Sequence, residues 1–353
     1  MKLIFQLLIA SILLLAACAA PPSVAITTPA PTEVVPTPTR VPIGELAGKI
    51  VYSNENDIFV LDLTDSQITR LTNDSEWDFD AAWSPDGTQI VFRSHRDGNE
   101  EIYVMNADGS NQRNVSKHPG GDWSPVWSPD ATRIAFFSER DGKSGIWVMD
   151  SDGGNPIPVG TPPGVNDYPT WSPDSQRIAW NCTMGNIHRN GRGDFEICVV
   201  NADGSGLMQL TDMEGDNKYP AWSPDGSQIA FVSNRNGWPT LPEYEPLGYD
   251  PEAFGDEEIF IMNTDGSNQT NLTNNPREDD SFPAWSRDGT HLIYSRYGCL
   301  TVLSIDTLER TQLSRGNCAG QDSGTFPDWF QPVKASAAGI VSSAHPLAEK
   351  SMP

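Results

Sequence analysis

The sequence predicts an all-β protein, a six-bladed β-propeller with four-stranded blades, on three observations. A short phrase recurs as Trp83-Ser84-Pro85-Asp86-Gly87, Trp127-Ser128-Pro129-Asp130, Trp171-Ser172-Pro173-Asp174, Trp222-Ser223-Pro224-Asp225-Gly226 and Trp285-Ser286-Arg287-Asp288-Gly289, with a shorter copy at Trp329-Phe330. Successive tryptophans stand 44, 44, 51, 63 and 44 residues apart, the spacing of repeats that each form one blade of about four short strands. In five of the six copies a Pro lies two residues before the Trp: Pro125, Pro169, Pro220, Pro283 and Pro327. Proline has no N–H to give a ladder, so this strand must be an edge, as the innermost strand of a blade is.

From the N-terminus, Lys2 and the apolar run Leu3 to Leu15 read as a secretory signal, residues 1–17, too short and wrongly flanked for a spanning helix. The phrase Leu15-Ala16-Ala17-Cys18 resembles a bacterial lipobox, which makes Cys18 the expected lipidated residue after cleavage. Residues 18–47 are rich in Pro, Thr and Ala. Such a composition cannot build a core and is expected to act as a tether.

Within a repeat, Ser-Pro-Asp-Gly closes a tight turn: Pro pre-sets φ, Asp bonds its own backbone and Gly supplies positive φ. Alternating apolar runs then give the second and third strands, exemplified by Gln89 to Phe92 and Glu101 to Met105, and a fourth lies near Asn111 to Ser116. The Asp-Gly pairs at Asp108, Asp152, Asp203 and Asp265 are hairpin turns between the third and fourth strands. Five repeats are complete. Residues 48–73 supply three strands without a Trp strand, and Pro327 to Gln331 supply a Trp strand with nothing after it. Joining these closes a sixth blade and leaves no open edge in the ring. The propeller is thus expected over 48–331, followed by a disordered tail over 332–353.

Acidic residues number 47 against 23 basic, a net charge of −24. Such a surface repels nucleic acid and favours cationic partners or bound divalent cations. Four cysteines remain after Cys18, allowing three pairings. Cys182 with Cys198 and Cys299 with Cys318 are expected as structural disulfides of an oxidising compartment. None of these pairs shows the short spacing of zinc ligands.

The repeated Pro-Ala-Trp-Ser-Pro-Asp-Gly, Ile-Ala-Phe-x-Ser-x-Arg and Glu-Ile-Phe-Ile-Met-Asn-x-Asp-Gly-Ser resemble the propeller repeat of the TolB family. That resemblance implies a component of a bacterial cell-envelope complex. TolB proteins carry an α/β domain before the propeller, where this chain has its Pro/Thr-rich stretch. The repeat is also similar to the propellers of prolyl-oligopeptidase-type peptidases, but no Gly-x-Ser-x-Gly elbow is present to carry that chemistry.

Candidate sites fall on one face, where the fourth strand runs to the next Trp strand and the second to the third. Asp78, Asp80, Asp122, Asn166, Asp167, Asp216, Asn217, Asp279 and Asp280 precede the Trp strands, with Asp322 before the last. They could cap turns or form a ring of hard oxygens suited to calcium. Two insertions lengthen this face. The first, Thr183 to Asp194, holds His188, Arg189 and Arg192; the second, Asn234 to Asp256, carries Trp238, Tyr244, Tyr249 and Phe254 among acids. Aromatic residues on a long loop point to a protein or glycan partner. Arg96, Arg140, Arg235 and Arg296 are read as structural, with Asp97, Asp141, Glu257 and Glu258 as their nearby acids. His95, His118 and His188 lie on the same face. A resemblance to propeller-fold pectate-type lyases makes a metal-dependent polysaccharide lyase or hydrolase at the channel the alternative function. The favoured expectation is a monomeric, non-enzymatic, lipid-anchored envelope protein that binds its partner through this face.

Overall fold

The computed structural model describes residues 48–160, 166–183, 195–212, 215–235, 257–275, 279–296, 299–313 and 327–330. The signal, Cys18, the tether, both insertions apart from Thr183, Asn234 and Arg235, with Trp238, Tyr244, Tyr249 and Phe254, and also Cys318, Asp322 and the tail lie outside the described residues.

These residues form 24 strands in six antiparallel sheets of four. The chain opens with β1 (Lys49–Asn54), β2 (Asp57–Asp62) and β3 (Ile68–Arg70). The next two sheets hold β4 (Asp78–Trp83), β5 (Gln89–Ser94), β6 (Glu101–Asn106) and β7 (Arg113–Asn114), then β8 (Asp122–Trp127), β9 (Arg133–Ser138), β10 (Gly145–Asp150) and β11 (Ile157–Gly160). The fourth and fifth hold β12 (Asn166–Trp171), β13 (Arg177–Cys182), β14 (Glu196–Asn201) and β15 (Met208–Gln209), then β16 (Asn217–Trp222), β17 (Gln228–Ser233), β18 (Glu258–Asn263) and β19 (Thr270–Asn271). The last is β20 (Asp280–Trp285), β21 (His291–Arg296), β22 (Cys299–Ser304) and β23 (Arg310–Gln312). Finally β24 (Asp328–Phe330) returns to β1, pairing Lys49 with Phe330 and Val51 with Asp328.

The fold is a closed six-bladed propeller. Each blade begins with the Trp strand, and the six Trp strands β4, β8, β12, β16, β20 and β24 touch one another in a closed cycle. Inner strands start about three residues earlier than the Pro-x-Trp phrase suggests, because the acids ahead of it already pair with the second strand, as Asp78 does with Ser94.

The repeated residues do repeated work. Ser84 Oγ donates to Asp86 Oδ1 (2.6 Å) and accepts from the Gln89 N–H (2.9 Å), and the other Ser-x-Asp turns repeat this. Asp108, Asp203 and Asp265 accept from the N–H two residues ahead, so these carboxylates are spent on closing hairpins. The glycine after the Asp is dictated by the neighbouring blade: a Cβ on Gly153, at φ 97°, would sit 2.1 Å from the Val115 carbonyl oxygen.

Apolar side chains fill the six gaps between blades. Trp171, for example, packs with Ala135, Ile146 and Val148 of the preceding blade, while Arg133 of that blade lies 4.7 Å over its ring. Trp83, Trp127 and Trp222 occupy matching wedges. The last gap, between β20–β23 and the sheet of β1, holds Ile50, Leu61, Leu63, Ile293, Leu300 and Val302. Burying these surfaces all round the ring is what makes closure favourable.

Candidate functional site

The central channel is built by a bulge that every complete repeat places at the third residue of its inner strand. Asp80, Ser124, Tyr168, Tyr219 and Phe282 adopt left-handed φ of 54°, 51°, 52°, 56° and 58°. Pairing with the second strand jumps two residues at each, from Phe79 to Ala82 in the first instance. Left-handed backbone is uncommon for such residues and is held only where the surroundings fix it. Here the preceding blade does so at two positions: Asp80 Oδ2 accepts from the Ser124 N–H (3.3 Å), and Asn181 Oδ1 accepts from the Tyr219 N–H (2.6 Å). A Pro follows four of the five bulge residues, so the ladder loses no donor there.

The bulge residues line a cavity of about 310 Å³ that runs down the channel to Pro224 in the first turn of its blade. One side of its mouth is aromatic. Tyr168 meets Tyr219 edge-on at 4.7 Å, and Phe282 lies 4.2 Å from Tyr219. Asp80 and Ser124 complete the ring of bulge residues. Asp80 Oδ2 is 3.0 Å from Arg93 Nε, while Asp80 Oδ1 is buried with no hydrogen-bond partner. Charged groups surround this mouth. Burial pushes the Asp167 carboxyl up to about 6, with the Asp80 charge adding to the rise and Asn181, 2.7 Å away, opposing it. Burial alone would lower the Lys218 ammonium, yet Glu257 (2.8 Å) and Asp216 (3.4 Å) hold its pKa above the ordinary lysine value.

The acids ahead of the Trp strands do not converge as one oxygen cage. Asp78, Asp122, Asn217 and Asp280 are fully buried, and each faces an arginine of its own blade. Arg96 lies 3.0 Å from Asp78, Arg140 2.7 Å from Asp122, Arg235 2.5 Å from Asn217 and Arg296 3.9 Å from Asp280. Three of these guanidiniums also stack on rings, over Tyr103, Phe136 and Phe260 at 4.7, 4.7 and 4.8 Å. The arginines are structural, but their partners differ from those expected. Asp97 instead accepts from the Tyr103 hydroxyl and Asn114, Glu257 holds Lys218, and Glu258 takes the Thr273 hydroxyl. The reason is geometric: the hairpin between second and third strands folds each arginine back over the start of its own inner strand.

Of the remaining acids, Asp80 lines the channel, Asp167 accepts from Asn181 Nδ2, Asp216 lies beside Lys218, and Asp279 Oδ1 accepts from the Glu257 N–H (3.4 Å). Asn166 pairs through its backbone with Cys182. His95 stands 3.6 Å from Glu76 and His118 3.8 Å from Asp141, so the two are parts of separate contacts; His188 lies outside the described residues. Among the described residues no three His, Cys, Asp or Glu side chains are grouped to hold a metal. Cys182 and Cys198 are joined by a disulfide across β13 and β14. Cys299 is disulfide-bonded as well.

Sequence reasoning missed Tyr168, Tyr219, Phe282, Arg93 and Lys218. The signal was present: Ser124, Tyr168, Tyr219 and Phe282 each stand directly before an inner-strand Pro.

A closed ring of four-stranded blades with Trp wedges and Asp-closed turns defines the chain as a six-bladed β-propeller protein. Family models place it further: the TolB beta propeller domain matches residues 157–248, and the Tricorn protease N-terminal beta propeller domain matches 46–145. The propeller is of the TolB type. The Tol-Pal system protein TolB of Anaeromyxobacter dehalogenans is 32% identical over 122 residues, 28% of this chain and 28% of that protein. This chain therefore matches little more than a quarter of that relative's length. TolB from Acinetobacter baumannii superposes with a TM-score of 0.62 at 19% identity, covering 80% of this chain and 66% of that one. The tricorn protease superposes with a TM-score of 0.58 at 16% identity, covering 77% and 26%.

Proposed function

We propose that this protein is a non-enzymatic cell-envelope lipoprotein whose propeller serves as a binding module for a protein or glycan partner. One observation carries the reading. Turn, wedge and arginine positions are nearly the same from blade to blade, whereas the channel position reads Asp80, Ser124, Tyr168, Tyr219 and Phe282. Residues that hold a repeat together recur with it; residues that recognise something specific need not. The break in regularity thus falls at the channel mouth, on the face from which the insertion with Trp238, Tyr244, Tyr249 and Phe254 departs.

The name of the TolB relative supplies the class of partner, an envelope complex of the Tol-Pal kind. Among the described residues no helix is long and apolar enough to cross a membrane, and Cys18 in its lipobox phrase is the proposed anchor outside the cytoplasmic membrane. The net charge of −24 favours a partner with a basic surface. The test is affinity capture from a detergent-solubilised envelope with the full chain, followed by mass spectrometry. One envelope protein or glycan retained by the parent and lost when Trp238 and Tyr249 become Ala supports the proposal. Release of unsaturated oligosaccharides from polygalacturonate in the presence of Mn²⁺ would replace it with the lyase alternative.

A further inference from the structure

The channel cavity that the bulge residues line has a composition that narrows the class of ligand it fits. Among the described residues its only charged lining residues are Asp80 and Asp328, both acidic; the others are Ala, Val, Pro, Ser, Thr and aromatic side chains. Asp328 Oδ2 is engaged by the Trp83 N–H at 2.7 Å. Asp80 is 8% exposed, and its Oδ1 has no hydrogen-bond donor although Oδ2 is held by Arg93 and the Ser124 N–H. A buried carboxylate oxygen without a donor is costly unless something supplies one. The rings of Tyr168, Tyr219 and Phe282 touch one another beside Asp80 in the lining of the cavity, and aromatic rings attract cations. One cation already uses this: Lys218 Nζ lies 5.9 Å over the Tyr219 ring.

We propose that the channel binds a small organic cation, an ammonium or guanidinium on a short apolar stem, with Asp80 Oδ1 as the acceptor and the aromatic and proline walls around the stem. A hard metal ion fits the same cavity poorly. Calcium takes six to eight oxygens, and a wall of Pro125, Pro169, Pro220 and Pro283 offers apolar ring surface where such an ion needs donors. The volume suits a small molecule: at about 30 Å³ per water, 310 Å³ corresponds to roughly ten waters and lies at the low end of ligand pockets. The inference rests on the reading above, since the same five bulge residues carry both, and the two fail separately: a small cation titrated into the purified chain tests the cavity, whereas capture from the envelope tests the partner.

The experiment is calorimetric titration of the full chain with pentylammonium, with pentan-1-ol as its neutral counterpart, and with a blocked Gly-Lys-Gly peptide. Pentylammonium is expected to bind at least about tenfold more tightly than the alcohol, because only the cation satisfies the buried carboxylate. Asp80→Asn is expected to remove that preference. Since Asp80 also holds Arg93, the alcohol guards against misfolding: pentan-1-ol should bind Asp80→Asn as it binds the parent, which a collapsed or unfolded cavity would not allow. Equal affinity of the parent for amine and alcohol, an undiminished preference for the amine in Asp80→Asn, or no binding of pentylammonium at millimolar concentration would overturn the proposal. Tighter binding of the lysyl peptide than of the free amine would overturn the small-molecule assignment.

Discussion

Replacing Glu196 by Gln should flatten the dependence of stability on pH. Glu196 opens β14 and is 1% exposed. Its Oε2 accepts from the Thr211 hydroxyl and from Asn217 Nδ2 (3.0 Å) of the next blade, while Oε1 has no partner. Burial pushes the carboxyl from the ordinary 4.5 up to about 7; the two hydrogen bonds and Arg235 oppose the rise, and Asp212 adds to it. A raised carboxyl means that the folded state holds a proton which the unfolded state has already released. The stability it contributes is therefore fully present below about 4.5 and is lost as pH climbs through about 7. At 1.36 kcal/mol per pKa unit, the loss between pH 5 and pH 8 is on the order of 3 kcal/mol. A glutamine oxygen can take both hydrogen bonds and cannot ionise, so Glu196→Gln should be more stable than the parent at pH 8 and close to it at pH 5. Asp167 and Asp280, pushed up by burial to about 6 and about 8, contribute in the same direction in both proteins and cancel from the comparison. Urea unfolding midpoints at the two pH values measure it. Parallel pH slopes for parent and variant would refute the assignment of this loss to Glu196.

Other expectations follow from the same contacts. Trp171→Ala should cost about 3–5 kcal/mol, the usual penalty for emptying a packed aromatic site, whereas Trp77→Ala, at a side chain 55% exposed, should change unfolding by no more than about 0.5 kcal/mol. Gly153→Ala should destabilise far more than Gly98→Ala: both sites have positive φ, but only the first brings a Cβ against the neighbouring blade; thermal melts will rank them. Cys18→Ser should move the protein from the membrane to the soluble fraction, and retention of the variant on membranes would rule out the proposed anchor.

The architecture was legible because the features that build a propeller are local. Ser-Pro-Asp-Gly announces its turn within five residues, and Pro two residues before a Trp marks an inner edge wherever it occurs. Closure through β24 was legible too, since three orphan strands at one end and one at the other leave a single way to complete a blade. The site was less so. Asp78 and Asp80 are two residues apart and look alike in sequence, yet the bulge turns Asp80 to the channel while Asp78 goes to Arg96. Arginine partners were misjudged for a related reason: proximity in sequence favoured Asp97, whereas the hairpin carries Arg96 back over a residue 18 positions earlier. Asn181 shows the same limit, because its two contacts, Asp167 and the Tyr219 N–H, come from different blades.

The central claim is that a strand from the end of the propeller completes the blade begun at Lys49. Its most direct test is amide hydrogen exchange on the full chain and on a chain ending at Thr325. Without β24, the account predicts that β1 amides from Lys49 to Val51 lose their protection and that cooperative unfolding shifts to lower denaturant for all six blades. Unchanged protection of β1, with an unchanged midpoint, would contradict the closed ring.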